Sequence, residues 1–307
     1  MGWTSSDIPD QRGRVILITG ANSGLGLCSA QALAHAGARV ILACRNQEKA
    51  AKALVSVKDS ATGPAPELIP LDLADLDSVH LCAKTLAERV DHLDVVMNNA
   101  GIMAIPQTQT AQGFEAQFGT NHLGHFALDG LLLPLLLAAQ APRVVTTSSF
   151  MHRIGSMHWD DLNSERGYRK WLAYGQSKLA NLLFAYELDR LSRQNGAALI
   201  SVAAHPGYAS THLQAVGPEM AGSKISARVM SIGNAIAAQP AFGGALPQLY
   251  GATMPDVEGG DFYGPGALFE MRGSPKKVKA TSAATDRSSA QRLWEVSEQM
   301  TDVTYQW

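Results

Sequence analysis

The stretch RVILITGANSGLG (14–26) decides the fold. Its first part, RVILITG (14–20), is a short apolar run without polar alternation, as a strand covered on both faces reads. Its last part, TGANSGLG (19–26), sets Gly20, Gly24 and Gly26 between that run and the helical spacing of LGLCSAQALAHAG (25–37). A strand leading through a glycine-rich turn into a helix opens a βαβ unit, so the next strand is expected parallel to the first.

The same order repeats downstream. RVILACR (39–45) reads as a strand and NQEKAAKALVSVKD (46–59) as a helix. ELIPLDL (67–73), LDSVHLCAKTLAERV (76–90) and LDVVMNNAG (93–101) continue strand, helix, strand. PRVVTTSS (142–149) and ALISVAAHPG (198–207) follow, each after a long helical segment. This alternation predicts the α/β class: a single-domain, Rossmann-type doubly wound parallel sheet with helices on both faces. No repeat, low-complexity tract or linker divides the chain, so 1–307 reads as one domain. After His205 the alternation fails, and about 208–258 is expected to form a C-terminal substrate lid. Ligands of such sheets bind beyond the carboxyl ends of the strands.

Composition narrows the function classes. With 25 basic against 27 acidic residues and no long run of one sign, no nucleic-acid partner is expected. Cys28, Cys44 and Cys82 lack metal or disulfide spacing and fit a reducing compartment, so a cytoplasmic location is expected. MGWTSSDIPDQRG, at the start, is too polar for a secretory signal, and its match to the loose myristoylation pattern is unspecific. The most apolar segment, LDGLLLPLLLAA (128–139), is broken by Pro134 and falls short of the roughly 20 residues a spanning helix needs. No membrane anchor is expected.

The glycines of 19–26 let backbone approach a ligand closely, and the helix after them offers free N–H groups to an anion. A nucleotide P-loop would need Gly-Lys before Ser or Thr; lysine is absent, which favours a dinucleotide. In NAD sites an acid about 20 residues on holds the ribose 2′-OH. Here that place holds Arg45, and no Asp or Glu occurs between Gly26 and Glu48. A guanidinium would pair with the 2′-phosphate of NADP, so NADP(H) is expected over NAD(H), although a solvated strand-end charge reads the same way. Asp72 in LDL (71–73) could accept from an adenine amine, and Ala100–Gly101 in NNAG (98–101) leave room for a ribose; both stretches also read as turns.

AYGQSKLAN (173–181) puts Tyr174 and Lys178 one helical turn apart, with Cβ atoms about 5–6 Å from each other. Free tyrosine has a pKa near 10, and a cation beside it favours the phenolate.

Taken together, TGANSGLG, Asp72, NNAG, NHLGHF (121–126), VVTTSS (144–149), Tyr174-x-x-x-Lys178 and HPG (205–207) resemble the short-chain dehydrogenase/reductase family over nearly the whole chain. ACRN (43–46), YGQSKLAN and RLWEVSEQM (292–300) resemble its retinol-dehydrogenase-like branch. The resemblance implies that Tyr174 is the general acid in carbonyl reduction and the base in oxidation. It implies that Ser149 binds the same oxygen, with Ser148 as the rival. Lys178 would hold the nicotinamide ribose and lower the tyrosine pKa, and Asn121 would order a water leading to the lysine. The cofactor would lie on Gly20, Asn22, Ser23, Gly24, Leu25, Gly26, Arg45, Asn46, Asp72, Leu73, Asn99, Ala100 and Gly101, besides Tyr174 and Lys178. Pro206, Gly207 and Thr211 would close on its carboxamide. Ser23 stands where many NADP-preferring relatives have a second basic residue.

The 150–172 insert and 208–258, with Met220, Met230, Ile232, Ile236 and Phe242, are expected to take a lipophilic aldehyde or ketone, or the matching alcohol. The same residues also read as lid packing. His122 and His125 lack a third metal ligand and read as structural. Family members commonly assemble through the two long helices that here carry Asn121 and Tyr174, so a homo-oligomer is expected, with 128–139 serving its interface or the core. Two other readings remain: a protochlorophyllide-reductase-like C=C reductase, whose characteristic cysteines are not recognisable here, and a non-catalytic NADP(H)-sensing protein, against which the intact Tyr-Lys pair argues.

Overall fold

Val15–Thr19 form the central strand β1, buried along its whole length. The structure is a computed structural model that describes residues 2–207 and 240–307. In chain order there follow α1 (Gly24–His35), β2 (Arg39–Cys44), α2 (Gln47–Ser60), β3 (Glu67–Pro70), α3 (Leu76–Ala87) and β4 (Val95–Asn98). Ala116–Phe118 and a π-helical turn, Gly119–Leu123, lead into α4 (Gly124–Leu137). Then come β5 (Arg143–Thr147), a 3-10 turn (Phe150–Ile154), α5 (Lys170–Gln194), β6 (Ile200–Ala204), α6 (Ala241–Thr253), β7 (Phe262–Ala267), β8 (Arg272–Lys277) and α7 (Arg287–Thr301).

The sheet runs β3-β2-β1-β4-β5-β6-β7-β8, parallel except for β8. Chain order reverses between β1 and β4, which makes the crevice beyond their carboxyl ends the place for a ligand. Period-two alternation splits β1 between two cores. Leu17 joins Ile41, Val96, Phe126, Leu132 and Val144 on one face, while Ile16 and Ile18 join Leu33, Val40, Leu42 and Leu249 on the other.

Some segments differ from the sequence reading. The third and fourth strands stop at Pro70 and Asn98, so LDL and NAG leave the sheet as turns beside the crevice. Strands β7 and β8 were not expected: FYGPGA and RGSPKK carry no apolar run, and β8 is an edge strand, where Pro275 and Gly273 are tolerated. Of the region 208–258, Ala241–Thr253 is a helix on the sheet, with Ala245, Leu249 and Ala252 fully buried. Residues 208–239, which include Thr211, Met220, Met230, Ile232 and Ile236, lie outside the described residues. The apolar run 128–139 packs into the core: Leu128, Leu132, Leu133 and Leu136 cluster with Trp294 of α7 and with Val303 and Tyr305 of the tail. Among the described residues, no helix is long and apolar enough to cross a membrane.

Candidate active site

Beyond β1 the chain turns at Gly20 (φ +66°), where a Cβ would lie 2.9 Å from Ala100 Cα. At Gly26 one would lie 2.5 Å from Asn99 Nδ2. Helix α1 starts at Gly24 with no side-chain cap on Ser23 and no acid in its first turn, so its free N–H groups face the crevice uncompensated. The crevice is a cleft of about 530 Å³ lined by Gly20, Asn22, Ser23, Gly24, Leu25, Arg45, Asn46, Asp72, Leu73, Asn99, Ala100 and Gly101. Twelve of the expected cofactor residues thus converge there, and Gly26 packs beneath.

Asn46 caps α2 by accepting from Lys49 N–H, and this turn brings Lys49 into the lining beside Arg45. The sequence reading missed Lys49; its signal was a second cation four residues after Arg45. Arg45 Nη1 stands 3.8 Å from Asp72 Oδ1, which also accepts from Ala74 N–H. A nicotinamide dinucleotide fits this cleft: the glycines leave room that a Cβ would fill, and cations meet free helix N–H groups where phosphates would lie.

The floor of the cleft is a hydrogen-bonded lattice. Thr19 Oγ1 accepts from Asn99 N–H and Ala100 N–H, and lies 2.9 Å from His125 Nε2. His125 Nδ1 is 3.0 Å from the Asn121 carbonyl, so its proton sits on Nδ1 and Nε2 accepts from Thr19. Burial brings the His125 pKa down to about 4, which keeps it neutral for this role. His122 is likewise held neutral by burial, with a pKa of about 3, and faces Ser297 at 2.8 Å. Gln248 of α6 donates to Ser29 and Asn99 and accepts from Thr147. Nothing in a helix of Gly, Pro and apolar residues marked Gln248 beforehand.

Asn121 lies in the π-helical turn, a feature frequent at functional sites. Its Oδ1 accepts from Ile102 N–H at 2.8 Å, and its Nδ2 donates to the Ile102 carbonyl and to Ser177 Oγ, each at 2.9 Å. The side chain therefore ties the NNAG turn to α5, with Ser177 donating on to the Tyr174 carbonyl.

Tyr174 and Lys178 share one buried face of α5, with Lys178 Nζ 5.8 Å from the tyrosine ring centre and donating to the Thr147 carbonyl at 3.0 Å. A Cβ on Gly101 would lie 3.5 Å from that Nζ, so the lysine meets the cleft floor where glycine leaves room. Ser148 is occupied: its Oγ donates to the Lys178 carbonyl. Ser149 instead hydrogen-bonds Tyr174, and its Oγ accepts from Met151 N–H at 3.2 Å. The geometry thus separates the two serines. Burial pushes the Tyr174 pKa up to about 12 against the pull of Ser149, and burial lowers Lys178 to about 8. In the protein by itself burial governs both groups, because both lose their water. Pro206 and Gly207 follow β6, with Gly207 at φ +64°.

A family model described as short chain dehydrogenase matches residues 14–221. Retinol dehydrogenase 14 of Mus musculus is 38% identical over 301 residues, covering 95% of this chain and 86% of that protein. The crystal structure of an uncharacterised protein from Mycobacterium paratuberculosis is 41% identical, covers 100% of both chains and has a TM-score of 0.82. A short chain dehydrogenase of Shigella flexneri, crystallised with NADP, is 26% identical over 83% of this chain and 98% of that one, at a TM-score of 0.61.

Proposed function

This chain belongs to the short-chain dehydrogenase family and is an oxidoreductase acting on CH–OH groups; on that premise we propose that it uses NADP(H) in preference to NAD(H), on a lipophilic aldehyde or ketone or the matching alcohol. The observation that carries the cofactor preference is the pair of cations, Arg45 and Lys49, lining the cleft at the end of β2 and the start of α2. An NAD site would set a carboxylate at that strand end. Two cations there suit a phosphate, through charge-assisted hydrogen bonds. The Shigella flexneri relative was crystallised with NADP, which agrees with this reading.

Gly20–Leu25 and the α1 N-terminus would hold the diphosphate, Asp72 the adenine side, and Asn99–Gly101 with Lys178 the riboses. When bound, the nicotinamide supplies or accepts the hydride. Tyr174, kept protonated by burial, donates its phenolic proton to the carbonyl oxygen in reduction. Ser149 Oγ accepts from Met151 N–H and hydrogen-bonds Tyr174, so its hydroxyl would turn its proton to that same oxygen once substrate is bound. Lys178 is fixed through Thr147, at the end of the strand that delivers Ser149.

Lipophilicity of the substrate rests on what surrounds these hydroxyls. Phe150 and Ile154 follow Ser149, and Trp171 and Leu172 precede Tyr174 by less than one turn; all four are exposed. The name of the Mus musculus relative points the same way. Absorbance loss at 340 nm with NADPH or NADH, against long-chain aldehydes, aromatic ketones and retinal, tests the proposal. Turnover should favour NADPH by about tenfold or more, and Tyr174→Phe should lower it by roughly 10²–10⁴-fold with cofactor affinity retained. Equal or faster turnover with NADH would overturn the cofactor preference.

A further inference from the structure

Two walls flank the catalytic hydroxyls. One is the 3-10 turn Phe150–Ile154 after Ser149, and the other is the turn His205–Gly207 after β6. The tip of the β7–β8 hairpin reaches both, and its residues Leu268, Phe269 and Glu270 are all left-handed, at φ 48°, 54° and 65°. Three such non-glycine residues in succession are strained. Burial does not explain them, because Phe269 is 91% and Leu268 55% exposed. What the turn achieves is to send Glu270 inward. Its Oε2 accepts from Arg153 Nη2 at 3.0 Å on the first wall and stands 3.3 Å from His205 Nε2 on the second.

His205 is built into this place. Gly207 N–H donates to its Nδ1 at 3.2 Å, which leaves the proton on Nε2; Glu270 Oε2 lies 3.3 Å from that nitrogen as a close polar contact without hydrogen-bond geometry. A Cβ at position 264 would overlap the imidazole, and one at 207 would lie 2.5 Å from the Met271 carbonyl oxygen and 2.8 Å from that of Glu270. The Phe262 ring backs His205 at 5.3 Å and also His152 at 5.6 Å, and His152 Nδ1 is 2.7 Å from the Ser149 carbonyl. One ring and one carboxylate therefore meet both walls.

We propose that Glu270 is a positioning residue that ties the His205–Gly207 turn to Arg153, and so fixes that turn relative to Ser149. The tie itself stands on these contacts, while its catalytic consequence rests on the oxidoreductase reading above. The test uses Glu270→Ala, Glu270→Gln and Arg153→Ala in the full chain. In protein without added cofactor, hydrogen exchange at the Gly207 amide should speed up about tenfold or more in Glu270→Ala and in Arg153→Ala. Glu270→Gln keeps an acceptor for Arg153 and should stay within about threefold of wild type. With NADPH bound, the fluorescence of the nicotinamide should report looser holding in Glu270→Ala. The Kd should change by less than about threefold, since phosphate contacts dominate it, while kcat falls roughly tenfold or more.

Unchanged Gly207 exchange in both alanine variants would overturn the proposal, whatever happens to activity. So would loss of kcat in Glu270→Ala and Glu270→Gln alike, with lowered melting temperature and unaltered exchange. Faster exchange in a protein whose wild type turns over no substrate would uphold the tie and count against the proposed function instead. If Glu270→Ala does not fold, Arg153→Ala reads the same amide from the other end of the tie.

Discussion

Asp129 on α4 is fully buried; among the described residues Asn98 Nδ2 donates to its Oδ2 at 2.5 Å and Oδ1 has no partner. Burial raises its pKa from 3.8 to about 8, against the pull of that bond. Between those values the unfolded chain carries an ionised Asp129 and the folded chain a protonated one. The folded state thus holds the extra proton, so this group's contribution is fully present below pH 3.8 and is lost as pH rises toward 8. The slope is about 1.4 kcal/mol per pH unit, or about 4 kcal/mol from about pH 5 to about pH 8. Asp129→Asn keeps the shape and an acceptor for Asn98 but cannot ionise. Urea unfolding of both proteins across that range should show the variant gaining about 4 kcal/mol on wild type. The comparison cancels the opposite acid-side effect of His122 and His125, which are buried neutral and must charge when unfolded below pH 6.5. A difference that stays flat with pH would refute the reasoning, because Asp129 would then carry the same charge folded and unfolded.

The cleft and the tail offer further tests. Arg45→Ala and Lys49→Ala should each weaken NADPH binding by about tenfold and leave NADH within about twofold, as read by fluorescence titration of the two cofactors. An equal loss for both cofactors would remove the argument for a 2′-phosphate contact. Gly130→Ala should destabilise by about 1–3 kcal/mol, because its Cβ would lie 2.7 Å from Val303 Cγ1 and 2.8 Å from Tyr305 Cε2. Deleting the tail that makes those contacts should abolish the penalty in thermal unfolding.

Much of the fold was readable early because both signals behind it are local. Short apolar runs rich in β-branched residues and bounded by turn residues, such as RVILITG and RVILACR, read as strands covered on two faces, and helical spacing between them leaves a parallel sheet as the consistent outcome. The phosphate end was legible for the same reason, since Gly20, Gly24 and Gly26 fall in one turn and Arg45 ends the next strand. Strands β7 and β8 were not: β8 is an edge strand, which need not be apolar on either face, and β7, though internal, carries Gly264, Pro265 and Gly266, which read as a turn.

By itself, the sequence determined which residues could do chemistry: a tyrosine and a lysine one turn apart, a serine pair at a strand end and an arginine in place of an acid. The resemblance already favoured Ser149 over Ser148, but only the packing of α5 shows that the Ser148 hydroxyl is engaged by the Lys178 carbonyl while Ser149 hydrogen-bonds Tyr174. Tertiary structure alone brought Lys49 into the cleft and Gln248 beneath it, and it set Glu270 between His205 and Arg153. It also set the burial that raises the Tyr174 pKa in the protein by itself, because burial acts through everything that excludes water, and that surrounding is assembled from residues far apart in the chain.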